Sequence, residues 1–449
     1  MSYIYFPRTV SRERSQLLPW RLFLFVNLLL FLALHWPLQI HTVVDDYNES
    51  QTLGVAGGDS SIVRQVALIV LCVVAIVGCS LGRGSKTPRL RMQGFMGWLP
   101  MAFVAWASMS TMWSNDLPLT LKRLVSFLIL CVVAIAVAKT FTLRNIILWV
   151  FFTTAVGLVI AIFAELATGI FHPLAYGYRF SGIQHPNGEG AECGILALSG
   201  LVAGSTETQH RHLYRGFALL GFIFLVLSAS RTAVIATLLA AAVYAITISS
   251  GKTKIMLAPV LVTLVSLLIF LIGTGLASGF QRAITMGRVD VADSPDSISG
   301  RTVIWNDVGP YIGEHPITGY GYQSFWTPAR LALIQDEEQW TVPDSHSTYV
   351  DCLLTLGIVG LTLFALSLLS GLWQVFVSYR VTRNSYFAFL GGILIFCIIN
   401  GFFESALGEG GSLTVLSLIV LARLAFVPPA TAVRSPADTF SGPKEICPV

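Results

Sequence analysis

Apolar residues dominate this chain in runs of about twenty, the length a helix needs to cross a hydrocarbon core about 30 Å thick. Short stretches carrying charge separate the runs. Twelve such segments are legible, at 20–40, 62–81, 95–112, 121–138, 145–166, 187–204, 213–229, 231–249, 254–275, 347–376, 386–403 and 411–427. The pattern predicts an all-α polytopic membrane protein with about 12 transmembrane helices. The first run is too long for a signal-peptide core, follows a polar start and precedes no small-residue cleavage site, so it reads as a retained anchor.

The polar intervals are unequal. Residues 41–61 and 404–410 are short and acidic, whereas 276–346 is long and rich in Gly, Pro, Asp and aromatics, too long for a connector. The chain therefore divides into transmembrane helices 1–9 over 1–275, a large external loop over 276–346, helices 10–12 over 347–427, and a Pro-rich tail over 428–449 that reads as disordered. Inside the loop, Ile304, Trp305 and Val308 recur at helical spacing after Ser299 and Gly300, which predicts a short interfacial helix interrupted by Pro310.

Composition agrees with the pattern: 54% of residues are apolar and 12% charged, which excludes a water-soluble globule. The net charge of +4 becomes informative only when divided between the two sides of the membrane. Residues 1–21, 82–94, 139–144, 205–215, 250–254, 377–385 and the tail from 423 hold 19 Lys and Arg against four acids, a balance of +15. The rest of the chain balances at −11. Lys and Arg in short loops stay cytoplasmic, so both termini are expected inside, and 41–61, 167–186, 276–346 and 404–410 outside. A missed or false span would break this alternation, which supports the count of twelve. Mild basicity does not imply nucleic acid. The seven cysteines form no C-x-x-C pair and mostly lie in apolar runs, so neither a disulfide framework nor a zinc site is indicated.

Against an acidic outer face, external cations stand out. Arg64, Lys122 and Arg123 sit at span ends, where snorkelling explains them. Arg231, in Leu227-Ser228-Ala229-Ser230-Arg231-Thr232, falls between two apolar runs with almost no loop, and a cation there needs a partner distant in the chain or a ligand. Arg179 and Arg301 are also external. If the three converge, guanidinium forks would make a pocket for a multiply charged anion; otherwise they are separate surface or ion-pair arginines. His346 stands at the end of the long loop, immediately before a span, where an imidazole can take a proton near neutral pH or simply cap a helix. His185 precedes Pro186 at the start of another span and either shapes the helix start or meets substrate. Glu189 and Glu192 share a helix face, where an ion pair with an arginine is a simpler reading than a metal site with His185. Asp351 lies five residues after His346, about 140° round a helix, and is badly placed to orient it. The sequence has no D-x-D, P-loop, G-x-S-x-G or H-E-x-x-H motif.

Taken in order, several short motifs resemble the O-antigen ligase and polysaccharide polymerase superfamily: Arg179, Gly182 and His185-Pro186-Asn187; Ser230-Arg231-Thr232; Gly300-Arg301 with Trp305, Pro316, Gly319 and Gly321; and His346 ahead of Leu356-Gly357-Ile358-Val359-Gly360. Trp113-Ser114-Asn115-Asp116-Leu117-Pro118 with Leu121-Lys122-Arg123 is similar to the exopolysaccharide polymerase branch. The match spans about residues 95–365, and Ser347 departs from the Asn that many members carry after the histidine. The resemblance implies a C-type glycosyltransferase-like fold with a large periplasmic loop, in the bacterial inner membrane, acting on the periplasmic side without cofactor or metal. It implies that Arg231 and Arg301 bind the diphosphate of a polyprenyl-diphosphate-linked oligosaccharide and that His346 is the catalytic base. Arg179 and Asn187 would be further donor contacts, with His185 beside them. The expected partners are that donor, an acceptor glycan or lipid, membrane lipid, and polysaccharide-assembly and chain-length proteins. A polymerase of surface polysaccharide repeat units is favoured on the Trp113–Arg123 segment, with an O-antigen ligase transferring to lipid A core as the alternative. A transporter of polysaccharide or lipid-linked sugar is the rival from another class, although its polar sites would be expected at the midplane.

Overall fold

The computed structural model describes residues 62–81, 90–94, 97–175, 178–251, 301–338, 344–405 and 411–429. The runs expected at 20–40 and 254–275, the outer loop over 276–300 and the tail from 430 lie outside the described residues. Helices occupy the other ten segments: α1 (Ile62–Leu81), α2 (Trp98–Met109), α3 (Leu117–Thr140), α4 (Leu143–Thr168), α5 (Pro186–Thr206), α6 (Arg211–Leu227), α7 (Arg231–Ile248), α10 (Thr348–Thr382), α11 (Ser385–Asn400) and α12 (Ser412–Phe426). Two more, α8 (Arg301–Glu314) and α9 (Pro328–Glu338), fall in the long loop, and no strand occurs among the described residues. Five helices, α1, α3, α4, α7 and α10, are long and apolar enough to cross a membrane.

Local chemistry sets the ends. Asp116 caps α3 by accepting from Leu119 N, with Pro118 in its first turn, and Thr142 caps α4 through Asn145 N. Gly169 closes α4 in the left-handed conformation. Leu196, Ala233, Phe389 and Leu394 belong to a central apolar cluster, while Ile69, Val73 and Ile76 of α1 face outward, as a membrane solvent requires. α5 and α6 approach at backbone distance because small residues face each other: a Cβ on Gly221 would stand 2.9 Å from Cys193 O.

One end of the bundle is held by cations. Arg144 makes a two-pronged ion pair with Glu207, both bonds 2.7 Å, and Tyr386 OH donates to the same carboxylate at 3.2 Å. Lys139 Nζ donates to Cys79 O at 2.9 Å, and the buried Arg423 donates to Ala138 O at 2.8 Å and Phe141 O at 3.2 Å, each satisfying carbonyls at or beyond a helix C-terminus. These residues come from the segments expected to be cytoplasmic.

The tenth segment, expected as one span over 347–376, is a broken helix. Gly357 takes φ 65° and ψ −168°, values outside the helical region. The chain folds back there: the Tyr349 and Phe364 rings lie 6.2 Å apart, whereas a straight helix would separate residues at that spacing by about 20 Å. The backbone groups freed by the break are taken up by the Pro316–Gly321 turn. Tyr320 N donates to Leu354 O, Gly321 N to Thr355 O, and Ile358 N to Pro316 O, each at 2.9 Å. Only glycine fits at Gly357, whose Cβ would stand 2.1 Å from Ile317 O. The α2–α3 corner holds the turn from behind: Trp113 Nε1 donates to Thr318 O at 3.1 Å, Asn115 N to Tyr320 O at 3.2 Å, and Arg123 to Gln323 O. Arg123 is thus a tie to the long loop rather than a snorkelling residue.

α8 corrects one expectation. Pro310 does not interrupt it, because the helix runs on to Glu314 with Pro310 on its exposed side. Ile304 and Val308 are fully buried against Tyr320, Phe325, Trp326 and Leu354, and this packing outweighs the lost backbone bond.

Candidate active site

At the end of the bundle opposite Lys139, Arg144 and Arg423, side chains from four parts of the chain meet. Arg179 Nη2 donates to Asn187 Oδ1, Asn187 Nδ2 to Glu404 Oε1, and Arg301 Nη2 to the same Oε1, all at 2.7 Å. Arg179 Nε also donates to Ser228 O at 3.2 Å, which ties the cluster to the α6–α7 corner. Arg301 is 9% exposed, its Cζ lies 5.9 Å from the Phe403 ring, and its Nε is buried with no hydrogen-bond partner among the described residues.

Each member is held locally. Arg179 lies on a loop clamped by the fully buried Glu165 of α4, whose Oε1 accepts from Ser181 N at 2.8 Å and Gly182 N at 2.9 Å, while Tyr178 OH donates to Oε2. Phe180 N donates to Leu227 O at 2.9 Å, fastening the loop to α6. Asn187 sits in the first turn of α5, and Arg301 opens α8. Glu404 follows α11, its backbone oxygen accepting from Thr348 Oγ1 at 2.9 Å.

His346 stands beside this network. Its Nδ1 lies 3.3 Å from Asp344 Oδ1, which also accepts from His346 N at 2.7 Å. That turn holds His346 at φ 49°, an uncommon value for a residue with a side chain. The neighbouring Ser345 is pinned on both sides: Trp305 Nε1 donates to its oxygen at 2.9 Å, and its N–H donates to Asp351 Oδ1 at 3.3 Å. Burial pushes the His346 pKa below its ordinary value and Arg301 adds to this, while Glu404 and Asp351 pull the other way. The neutral imidazole, able to accept a proton, is the form favoured near neutral pH. Burial pushes the Glu404 carboxyl up, opposed by Arg301 and His346.

Of the residues singled out in the sequence, Arg179, Asn187, Arg301 and His346 come together. Arg231 opens α7 half-buried, three residues beyond the Ser228 carbonyl that receives Arg179. His185 is exposed and caps α5, its Nδ1 accepting from Asn187 N at 3.3 Å, which is the structural alternative for that residue. Glu189 accepts from Gln184 Nε2 at 3.3 Å and Glu192 from Ser412 Oγ at 2.8 Å; no group of three His, Cys, Asp or Glu able to hold a metal occurs among the described residues. Asp351 does not touch the imidazole but braces Ser345.

Three participants escaped the sequence reading. Glu404 belongs to the short acidic segment, Asp344 is two residues before the histidine, and Glu165 is a carboxylate inside an apolar run, itself a recognised functional signal.

The helices and this cluster define a multi-pass helical membrane protein whose charged and titratable side chains converge at one end of the bundle. Residues 216–365, a third of the chain, match the family model described as O-antigen ligase, and the match supports the O-antigen ligase and polysaccharide polymerase superfamily for that segment. The match supports a membrane glycosyl-transferring enzyme. It contains Arg231, Arg301, His346 and the Pro316–Gly321 turn, and leaves Arg179, Asn187 and Glu404 outside. No curated protein shows a significant match to the chain.

Proposed function

We propose that the protein is an inner-membrane glycosyltransferase that takes a polyprenyl-diphosphate-linked glycan as donor on the periplasmic face and polymerises surface polysaccharide repeat units. The observation that carries this reading is the meeting of buried Arg301 with Arg179, Asn187 and His346 at one end of the bundle, in a chain with the matching family segment. With Nδ1 facing Asp344, His346 would take the proton of an acceptor hydroxyl through Nε2. The acceptor oxygen bonds the anomeric carbon while the bond from that carbon to the diphosphate oxygen breaks, and the electron pair leaves with the diphosphate. Attack from the opposite face inverts the centre. Arg301 and Arg231, with Arg179 beside them, would stabilise the departing charge, a contribution of roughly 3–4 kcal/mol for one well-placed donor. No step calls for a metal.

This twelve-span topology would put 276–346 in the periplasm and both termini in the cytoplasm; the +15 and −11 charge balances support it. The test is reconstitution: purified protein given a lipid-linked repeat should extend it in the presence of a chelator, and a folded His346→Ala protein should not. Undiminished turnover in that variant removes the base assignment.

The ligase reading has an observation of its own, the description of the matched family. The segment that favours polymerisation, Trp113 to Arg123, contacts the Pro316–Gly321 turn and Gln323, and so bears on how that loop is held. A deletion strain separates the two: single attached repeats mark a lost polymerase, free lipid-linked polymer a lost ligase.

A further inference from the structure

Transfer chemistry has no evident use for a carboxylate on the arginine that is to bind an anion. Yet Glu404 Oε1 sits 2.7 Å from Arg301 Nη2, in a pair whose side chains are only 10% and 18% exposed. Glu404 engages Arg301 through that one nitrogen, whereas Arg301 Nε, on the same edge of the guanidinium, is buried without a partner among the described residues. A phosphate group can span both nitrogens of that edge. The same carboxylate oxygen receives Asn187 Nδ2, so one group holds two of the proposed donor contacts.

The backbone around Glu404 is fastened independently of its side chain. Thr348 N donates to Gly401 O at 2.9 Å, Thr348 Oγ1 to Glu404 O at 2.9 Å, and Ser405 Oγ to Asp351. The side chain can therefore turn away while the segment stays docked on α10.

We propose that Glu404 is an internal placeholder anion. It holds Arg301 and Asn187 when no donor is present and is displaced by the diphosphate, which then engages Nε and Nη2 of Arg301 together. Glu404 thereby sets how tightly the donor is held before and after transfer, a role that rests on Arg301 being the diphosphate-binding residue. Removing its charge should strengthen anion binding, the opposite of what loss of a purely supporting residue would do.

The experiment measures inorganic pyrophosphate binding to the full-length protein in detergent, by calorimetry and by the shift in melting temperature with ligand. Glu404→Gln should bind about tenfold more tightly than the native protein, about 1.4 kcal/mol, and Arg301→Ala should abolish binding in either background. Unchanged or weaker binding in Glu404→Gln overturns the proposal. If that variant does not elute as folded protein, Glu404→Asp serves instead: its shorter carboxylate should also give tighter binding, and affinity no higher than native overturns the proposal equally. A parallel transfer assay with lipid-linked repeat separates the two ideas. Tighter pyrophosphate binding in a protein inactive on every donor leaves the placeholder standing and removes the enzyme reading; transfer with unaltered pyrophosphate affinity does the reverse.

Discussion

His346 combines three things the proposed base needs: a lowered pKa, a carboxylate at Nδ1 and a neighbour, Ser345, bonded on both sides. For a base the neutral form is active, and a group with a lowered pKa stays neutral to a lower pH than usual. Activity should therefore persist below pH 6.5, the ordinary histidine value, and the acidic limb of the kcat/KM profile checks this. Asp344→Asn removes the negative charge of the acceptor that aligns the ring and can turn an NH2 donor toward it. It should lower kcat by about 10–100-fold, within the span of general-base effects, leave donor KM nearly unchanged, and be separable from misfolding by an unaltered melting curve. At this scale the sequence was half legible. Arg179, Arg301 and His346 could be named because cations and imidazoles are conspicuous in segments whose charge balance is acidic, and Asn187 through the family resemblance. Glu404 and Asp344 could not, because in those same segments a carboxylate is ordinary, and only contact with Arg301 or His346 distinguishes them.

Among elements, the ends of the helices followed closely from charge, Pro and Gly in the sequence, since hydropathy and capping act locally. The break in α10 did not. Leu356-Gly357-Ile358 reads as continuous helix, and nothing short of the Pro316–Gly321 turn docking against it makes a non-helical glycine tolerable. Two substitutions test this joint. Gly357→Ala forces a side chain into a left-handed backbone against Ile317 O and should cost about 2–4 kcal/mol, read as a lower melting temperature with loss of transfer. Trp113→Phe deletes the bond to Thr318 O and trims the ring that packs 5.1 Å from Trp106, and should cost about 1–2 kcal/mol. Its acceptor preference should be unchanged, since the indole is engaged in bracing the turn.

At the scale of the molecule, the two ends of the bundle carry opposite chemistry. Lys139, Arg144 and Arg423 occupy one end bound to carbonyls or to Glu207, while at the other Arg301, Arg179 and Asn187 are gathered round Glu404. The proposed topology would put these ends on the two sides of the membrane. Single cysteines in a background without native cysteine check it: His315→Cys, exposed after α8, should react with an impermeant maleimide in intact spheroplasts, and His210→Cys, exposed between α5 and α6, only after permeabilisation. The reverse pattern would invert the topology.

The fold-back at Gly357 also fixes a height. Had α10 continued straight, His346 would stand about 15 Å beyond Gly357, at 1.5 Å for each residue, out of reach of a headgroup anchored by its lipid tail. Bent, the chain brings Tyr349, three residues after the histidine, back to the Phe364 ring and to Ile398 O near the end of α11. On the proposed reading, a lipid-borne phosphate would then meet the histidine without being lifted out of the headgroup layer, and the docked turn would hold that level from one turnover to the next.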